Sequence, residues 1–181
     1  HLFDRMEIRD NGELRFSDLI QPKIEAEIAF VMGKTLRGPG VTFERAAEAI
    51  GLATVALEII DSRFANWKIN AFDTIADNGS SARFVLGKTR LSISQLDLPF
   101  LGMALSKNGE VMLTASGAAV MGNPINAVAF LANELSKVDR SLEGGQVVLS
   151  GSLGGMLKLE PGADYSAEVL YLGRVAIRCI E

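Results

Sequence analysis

The chain has 181 residues, 48% hydrophobic and 22% charged, enough for one domain with a sizeable core. Its 22 acidic and 18 basic side chains give a net charge of −4, and no Lys/Arg cluster stands out, which argues against nucleic acid as a partner. One histidine, His1, and one cysteine, Cys179, leave no internal disulfide, no thiolate or histidine zinc site, and no Ser-His or Cys-His nucleophile.

In chain order, residues 2–20 read as an irregular lead-in with a turn signal at "DNG", 10–12. "IEAEIAFVMG" reads as a strand and "RGPG", 37–40, as a loop. "TFERAAEAIGLA", 42–53, predicts a helix capped by Thr42, with Glu44 in its first turn. "TVALEIID" reads as a buried strand. "ARFVLGK", "LGMALSKNGEVMLTASG" and "GQVVLSGSLGG" read as further strands, with an Asn-Gly hairpin turn at "KNGE", 107–110. "NPINAVAFLANELSKV" is the clearest helix, with Pro124 early and apolar residues at helical spacing. "EPGADYSAEVLYLGRVAIRCI" reads as a closing hairpin. Many strands against few helices predict an α+β or mainly β architecture. No apolar run approaches the roughly 20 residues of a membrane span and no leader peptide is visible, so a cytoplasmic protein with no membrane partner is expected.

Three carboxylates stand out. In a strand, alternate side chains share a face, so Glu25, Glu27 and Ala29 lie on one face and Ile24, Ala26, Ile28 and Phe30 on the other. The two carboxylates are then about 6.5–7 Å apart along the strand. Glu58 sits among Leu57, Ile59 and Ile60, in a strand expected to be buried on both faces. An unpaired buried carboxylate costs several kcal/mol or stays protonated, and three of them repel one another unless a cation sits among them. All-oxygen ligation points to a hard cation, Mg²⁺ or Mn²⁺. The alternative is structural: Glu25 and Glu27 line a solvated edge and Glu58 pairs with Arg63 or Lys68.

The stretches "LIQPKIEAEIAFV", "ALEIIDSRFANWKINAFDTIADNGSSARFVLG", "GNPINAVAFLANEL" and "GGQVVLSGSLGGM" resemble, in order and spacing, the hydratase/decarboxylase branch of the fumarylacetoacetate hydrolase superfamily. These are the 2-oxopent-4-enoate hydratases and 2-oxo-3-hexenedioate decarboxylases of aromatic meta-cleavage catabolism. The resemblance implies an α+β fold with a mixed β-sheet roll core. It implies a divalent metal, normally Mg²⁺, held at the positions of Glu25, Glu27 and Glu58, and a small unsaturated 2-oxo or 2-hydroxy carboxylate as substrate. It also implies that Ser80, after the A-D-N motif, lies near the substrate; on its residues alone, "DNGSS" is turn chemistry, built by Asp77 and Asn78.

Further candidates come from chemistry. Arg63 could hold Glu58, meet a substrate carboxylate or form a structural ion pair. Gly151 and Ser152 of "SGSLGG" offer backbone N–H groups that could cradle a carboxylate. Arg83 would neutralise the distal carboxylate of a diacid substrate, or simply be solvated. "NW", "DTIADN", "GNP" and "SLGGM" look hydratase-like, whereas "RGPG", Phe64, "KNGEV" and Arg83 look closer to decarboxylases or diacid hydratases; the hydratase reaction is favoured. Superfamily hydrolases, expected to use a His-Glu pair, fit less well with His1 as the only histidine.

Residues 1–181 correspond to a single C-terminal catalytic-type domain. The first third of the family's length, which holds an expected acid/base lysine and an acidic residue, has no counterpart here. A catalytically incomplete metal-binding or assembly protein is therefore the alternative of another class. The apolar composition, with a mean hydropathy of +0.22, predicts a homo-oligomer.

Overall fold

The computed structural model describes residues 1–181. Two sheets and three α-helices share one contiguous core. The first sheet runs β1-β5-β4-β3-β8, where β1 is Glu7–Ile8, β3 Lys23–Met32, β4 Ile50–Ile60, β5 Ser81–Leu86 and β8 Val147–Leu149; β9, Met156–Lys158, also pairs β3. The second runs β2-β11-β10-β6-β7, with β2 Gly12–Arg15, β6 Gly102–Lys107, β7 Glu110–Ser116, β10 Asp164–Val169 and β11 Gly173–Ile180. Most neighbours are antiparallel; β1 with β5 and β2 with β11 are parallel, so both sheets are mixed. The expected α+β fold with a mixed-sheet core and few helices is what the chain adopts. No helix is long and apolar enough to cross a membrane.

Strand β3 is the centre of the first sheet. Its register sets Ile24 opposite Ile59, Ala26 opposite Leu57 and Ile28 opposite Val55 on β4, and all six are fully buried. This face packs towards β10 and β11, where Tyr165, Ala167, Val175 and Ile177 close the core. β4 lies between β3 and β5, which satisfy its backbone on both edges, while Val55, Leu57 and Ile59 bury their side chains in the core.

The helices follow their local signals, with two departures. α1 (Phe43–Ala49) is capped as expected, the Thr42 side chain accepting from the Arg45 N–H at 3.3 Å. It stops at Ala49, however, because residues 50–53, expected to be helical, begin β4; β-branched Ile50 is extended and Gly51 opposes helix continuation. α2 (Ala71–Ala76) was not expected: Asn70 accepts from the Phe72 and Asp73 N–H groups while Asp73 reaches back to the Asn70 N–H, a reciprocal cap. α3 (Ile125–Ser136) matches the predicted helix and packs against α1.

Two turns complete the frame. The β6–β7 hairpin uses Asn108 (φ 51°) and Gly109 (φ 83°), the left-handed pair of a type I′ turn. The segment "GQVVLSGSLGG" is not one strand: β8 pairs residues 29–31 of β3, β9 pairs residues 23–25, and the loop 150–155 lies between them, beside residues 26–28.

Candidate metal centre

The interruption between β8 and β9 falls where β3 carries its carboxylates. Glu25 is the register partner of Glu58 on β4, and Glu27 is two residues along the same face. Like charges directly opposite across a strand pair destabilise a sheet. Here one carboxylate oxygen from each of Glu25, Glu27 and Glu58 lies within 4.8 Å of the other two. Glu25 and Glu27 are buried and Glu58 is half-buried, so no solvated edge is available to them. None of the three takes part in an ion pair.

The electrostatics follow from that crowding. Burial, then the negative charge of Glu58, pushes the Glu25 carboxyl up to about 7, against the Ser152 hydroxyl and Lys23. Burial, with the Glu58 charge behind it, raises Glu27 well above the carboxylate range despite the Gly151 N–H. Burial also raises Glu58, against the hydroxyl of Ser81. Neutral donors are the main compensation within reach. The Gly151 N–H donates to Glu27 Oε2 at 2.8 Å, and the loop is held to β3 by the Ser150 N–H on the Ile28 carbonyl and the Leu153 N–H on the Ala26 carbonyl. Gly151 has φ +104°, a conformation that residues with a Cβ rarely adopt, so glycine is what lets the N–H turn towards Glu27. The donor set, three convergent carboxylate oxygens with no basic partner, is the chemistry a hard divalent cation requires.

The other candidates are distributed differently. Gly151 and Ser152 lie at the carboxylates, but the Gly151 N–H is directed to Glu27 of the chain itself. Ser152 Oγ also donates to the Gly155 carbonyl and accepts from its N–H, both at 3.1 Å. Arg63 does not hold Glu58: its guanidinium binds the carboxylate and backbone carbonyl of Asp77. Ser80 Oγ donates to Asp77 Oδ2 at 2.7 Å, so Arg63, Asp77 and Ser80 form a closed knot that shapes the "ADNGS" turn. Arg83 pairs in register with Ile59 and its neighbour Phe84 with Glu58, so Arg83 projects from the face opposite the carboxylates. Arg63 and Arg83 line a cavity of about 510 Å³ with Arg5, Asp18 and Asp61.

A larger cavity, about 940 Å³, opens over Glu27, Glu58 and Gly151, with Phe84, Leu86 and Leu149 among its apolar wall. Of the two adjacent serines, Ser81 lines it and Ser80 does not. Strand alternation from Phe84 could not have identified Ser81, because a register shift between Ile59 and Ile60 changes the pairing there.

Residues 10–179 match the family described as fumarylacetoacetate (FAA) hydrolase C-terminal. The chain is 42% identical over 174 residues to the 2-keto-4-pentenoate hydratase of Paraburkholderia xenovorans strain LB400, covering 96% of this chain and 65% of that protein. It is 37% identical over 179 residues to the 4-oxalocrotonate decarboxylase of Pseudomonas sp. strain CF600, covering 99% of this chain and 68% of that one. The structure of 4-oxalocrotonate decarboxylase from Pseudomonas putida G7, complexed with magnesium and adipate, superimposes with a TM-score of 0.95 at 37% identity, covering 98% of this chain and 67% of that chain. The chain thus spans about two thirds of the length of these relatives.

The raised carboxyls fix how the metal-free fold responds to pH. Glu25 titrates at about 7 when folded against an ordinary 4.5, so the folded state holds this proton more tightly than the unfolded one. The resulting destabilisation is absent below about pH 4.5, grows as pH rises towards 7 and is complete above it, reaching roughly 3 kcal/mol for Glu25 alone. In EDTA, the melting temperature should fall between pH 5 and pH 8, and a saturating divalent cation should remove most of that fall. A metal-free melting temperature that is flat or rises over this window would contradict the assignment of buried, crowded carboxyls.

Proposed function

The chain belongs to the fumarylacetoacetate hydrolase C-terminal family, and on that premise we propose that it is the metal-binding part of a lyase that hydrates 2-hydroxy-2,4-dienoates or their 2-oxo-4-enoate tautomers. The observation that carries the reading is the triad of Glu25, Glu27 and Glu58, three converging carboxylates in no ion pair, two of which, Glu27 and Glu58, open onto the larger cavity. Identities of about 40% to several 2-keto-4-pentenoate hydratases support the choice of reaction.

Glu25, Glu27 and Glu58 would hold Mg²⁺ or Mn²⁺. Bound there, the cation supplies Lewis-acid stabilisation of enolate charge at C2 of a 2-oxo acid and a template for its carboxylate and C2 oxygens. The chain's own residues do the rest. The Gly151 N–H holds Glu27 in place, and the Ser152 and Ser81 hydroxyls favour the charged forms of Glu25 and Glu58. Phe84, Leu86 and Leu149 give a diene an apolar surface. Gly151 and Ser152 act on substrate in this reading only through the carboxylates they hold. Ser80 and Arg63 act through the shape of the turn before β5. Acid/base groups of the complete reaction are not assigned to this chain.

Decarboxylation of a 2-oxo-3-hexenedioate is the second reading, favoured by the close superposition on 4-oxalocrotonate decarboxylase. A diacid needs a cation at its far end, and Arg83, the residue with that chemistry by sequence, projects from the other face of the sheet. We also propose that the chain self-associates, in a cytoplasmic setting. Phe72, Ile75 and Phe100 are 83%, 77% and 77% exposed, more apolar surface than a lone copy keeps without use. A strictly monomeric mass by light scattering at tens of micromolar would sink that part.

Glu58→Gln should weaken Mg²⁺ or Mn²⁺ binding by at least about tenfold while leaving the metal-free melting temperature unchanged or higher, because removing one of three clustered charges relieves repulsion. Calorimetric titration beside thermal melts checks that ordering, and a variant that binds metal normally would refute the ligand assignment. Product analysis with 2-hydroxypenta-2,4-dienoate beside its diacid counterpart, on protein that includes the relatives' full length, should show hydrated product rather than CO2. In that protein Arg83→Ala should change kcat/KM for both substrates alike. A loss confined to the diacid, of the roughly 10-fold or more expected for a charge-assisted contact, would establish the second reading instead.

A further inference from the structure

Ser81 Oγ is the one buried side-chain polar atom in the protein without a hydrogen-bond partner. The residue is 8% exposed, at the first position of β5, and it lines the carboxylate cavity together with Glu27 and Glu58. A buried hydroxyl left unpartnered destabilises the fold, so its retention calls for a use. Of the other two carboxylates, Glu27 accepts the Gly151 N–H in full hydrogen-bond geometry, and Glu25 has the Ser152 hydroxyl beside it, which favours its charged form while donating its own proton to the Gly155 carbonyl. Ser81 shares the cavity wall with Glu58 and pairs in register with Ile60, two residues along the same strand; its hydroxyl favours the charged form of Glu58 but makes no hydrogen bond there. Glu58 meanwhile has an oxygen within 4.8 Å of both Glu25 and Glu27.

We propose that Ser81 is the positioning residue of Glu58: once a divalent cation draws the three carboxylates onto itself, the Ser81 hydroxyl donates to the Glu58 oxygen that faces away from the ion. Gly151 and Ser81 then each hold one of the ligands, Glu27 and Glu58, from the chain's own side, an arrangement that fixes carboxylate orientation and strengthens binding. The inference rests on the metal-centre reading above and adds a residue that touches neither substrate nor ion. It also separates two adjacent serines by role, with Ser80 tied to Asp77 and Ser81 reserved for Glu58.

The test uses Ser81→Ala and Ser81→Thr, with calorimetric titration of Mn²⁺ and metal-free thermal melts. For Ser81→Ala the two readouts should separate: the metal-free melting temperature stays level or rises, since only an unpartnered hydroxyl is lost, while the Mn²⁺ Kd rises by about tenfold or more. Ser81→Thr keeps the hydroxyl on a residue suited to a strand and should retain most of the affinity. Unchanged Mn²⁺ affinity in Ser81→Ala overturns the inference. A lowered metal-free melting temperature that accompanies the lost affinity also overturns it, because the serine then serves the fold. Failure of the unsubstituted chain to bind Mn²⁺ at all overturns the metal-centre reading and this inference with it, so the two failures are told apart in one titration.

Discussion

Mutual repulsion among three carboxylates in the interior of a sheet is the constraint around which this structure is arranged. Glu25 and Glu58 face each other across β3 and β4, with Glu27 beside them, and burial of Glu25 and Glu27 weakens the screening of their charges. Nothing about the surrounding sheet needs these charges. The opposite face of the same two strands, from Ile24 and Ile59 to Ile28 and Val55, would hold them together without help. Hydrophobic burial thus carries the cost of the charged face, as expected where a strained polar cluster is kept for chemistry.

That constraint accounts for features that otherwise look like defects. A continuous partner strand along β3 would consume the backbone groups opposite Glu27. Splitting that partner into β8 and β9 frees a six-residue loop, 150–155, whose Gly151 N–H turns inwards. The left-handed backbone at Gly151 is the local consequence. The knot of Arg63, Asp77 and Ser80 has a similar logic at the other side of the site. It folds the "ADNGS" turn so that β5 begins at Ser81, beside Glu58, and it uses up the one arginine near enough in sequence to have neutralised that glutamate.

Much of this was legible in the residues. Carboxylates flanked by Ile, Ala and Phe signal a buried charged face, because strand alternation has period two and the flanking positions need a core. Asn108-Gly109 declared its turn through the φ > 0 it demands. The Asn70-to-Asp73 cap of α2 was equally visible as an N-x-x-D spacing, yet six residues with exposed Phe72 and Ile75 give no amphipathic pattern to go with it. What could not be read were matters of pairing. β1 and β2 are two and four residues long, too short for periodicity, and they are strands only because β5 and β11 accept them in parallel. Arg83 has the chemistry of a substrate-binding residue, but register places it on the face opposite Phe84 and the carboxylates. The glycine-rich loop announced free N–H groups but not their target, which lies more than a hundred residues away in sequence.

The divided edge of β3 also bears on how the chain finds its register. Sliding β3 by one residue against β4 would exchange its two faces, driving Glu25 and Glu27 into the packed interior against Tyr165 and Val175 and setting Ile24 and Ile28 at the cavity. With β8 clamped over residues 29–31 and β9 over 23–25, such a slip has to break two separate ladders at once. The same pair of short strands that opens the gap for Gly151 therefore works as a proofreading device: a misaligned sheet is penalised at both ends of the charged segment and at its middle.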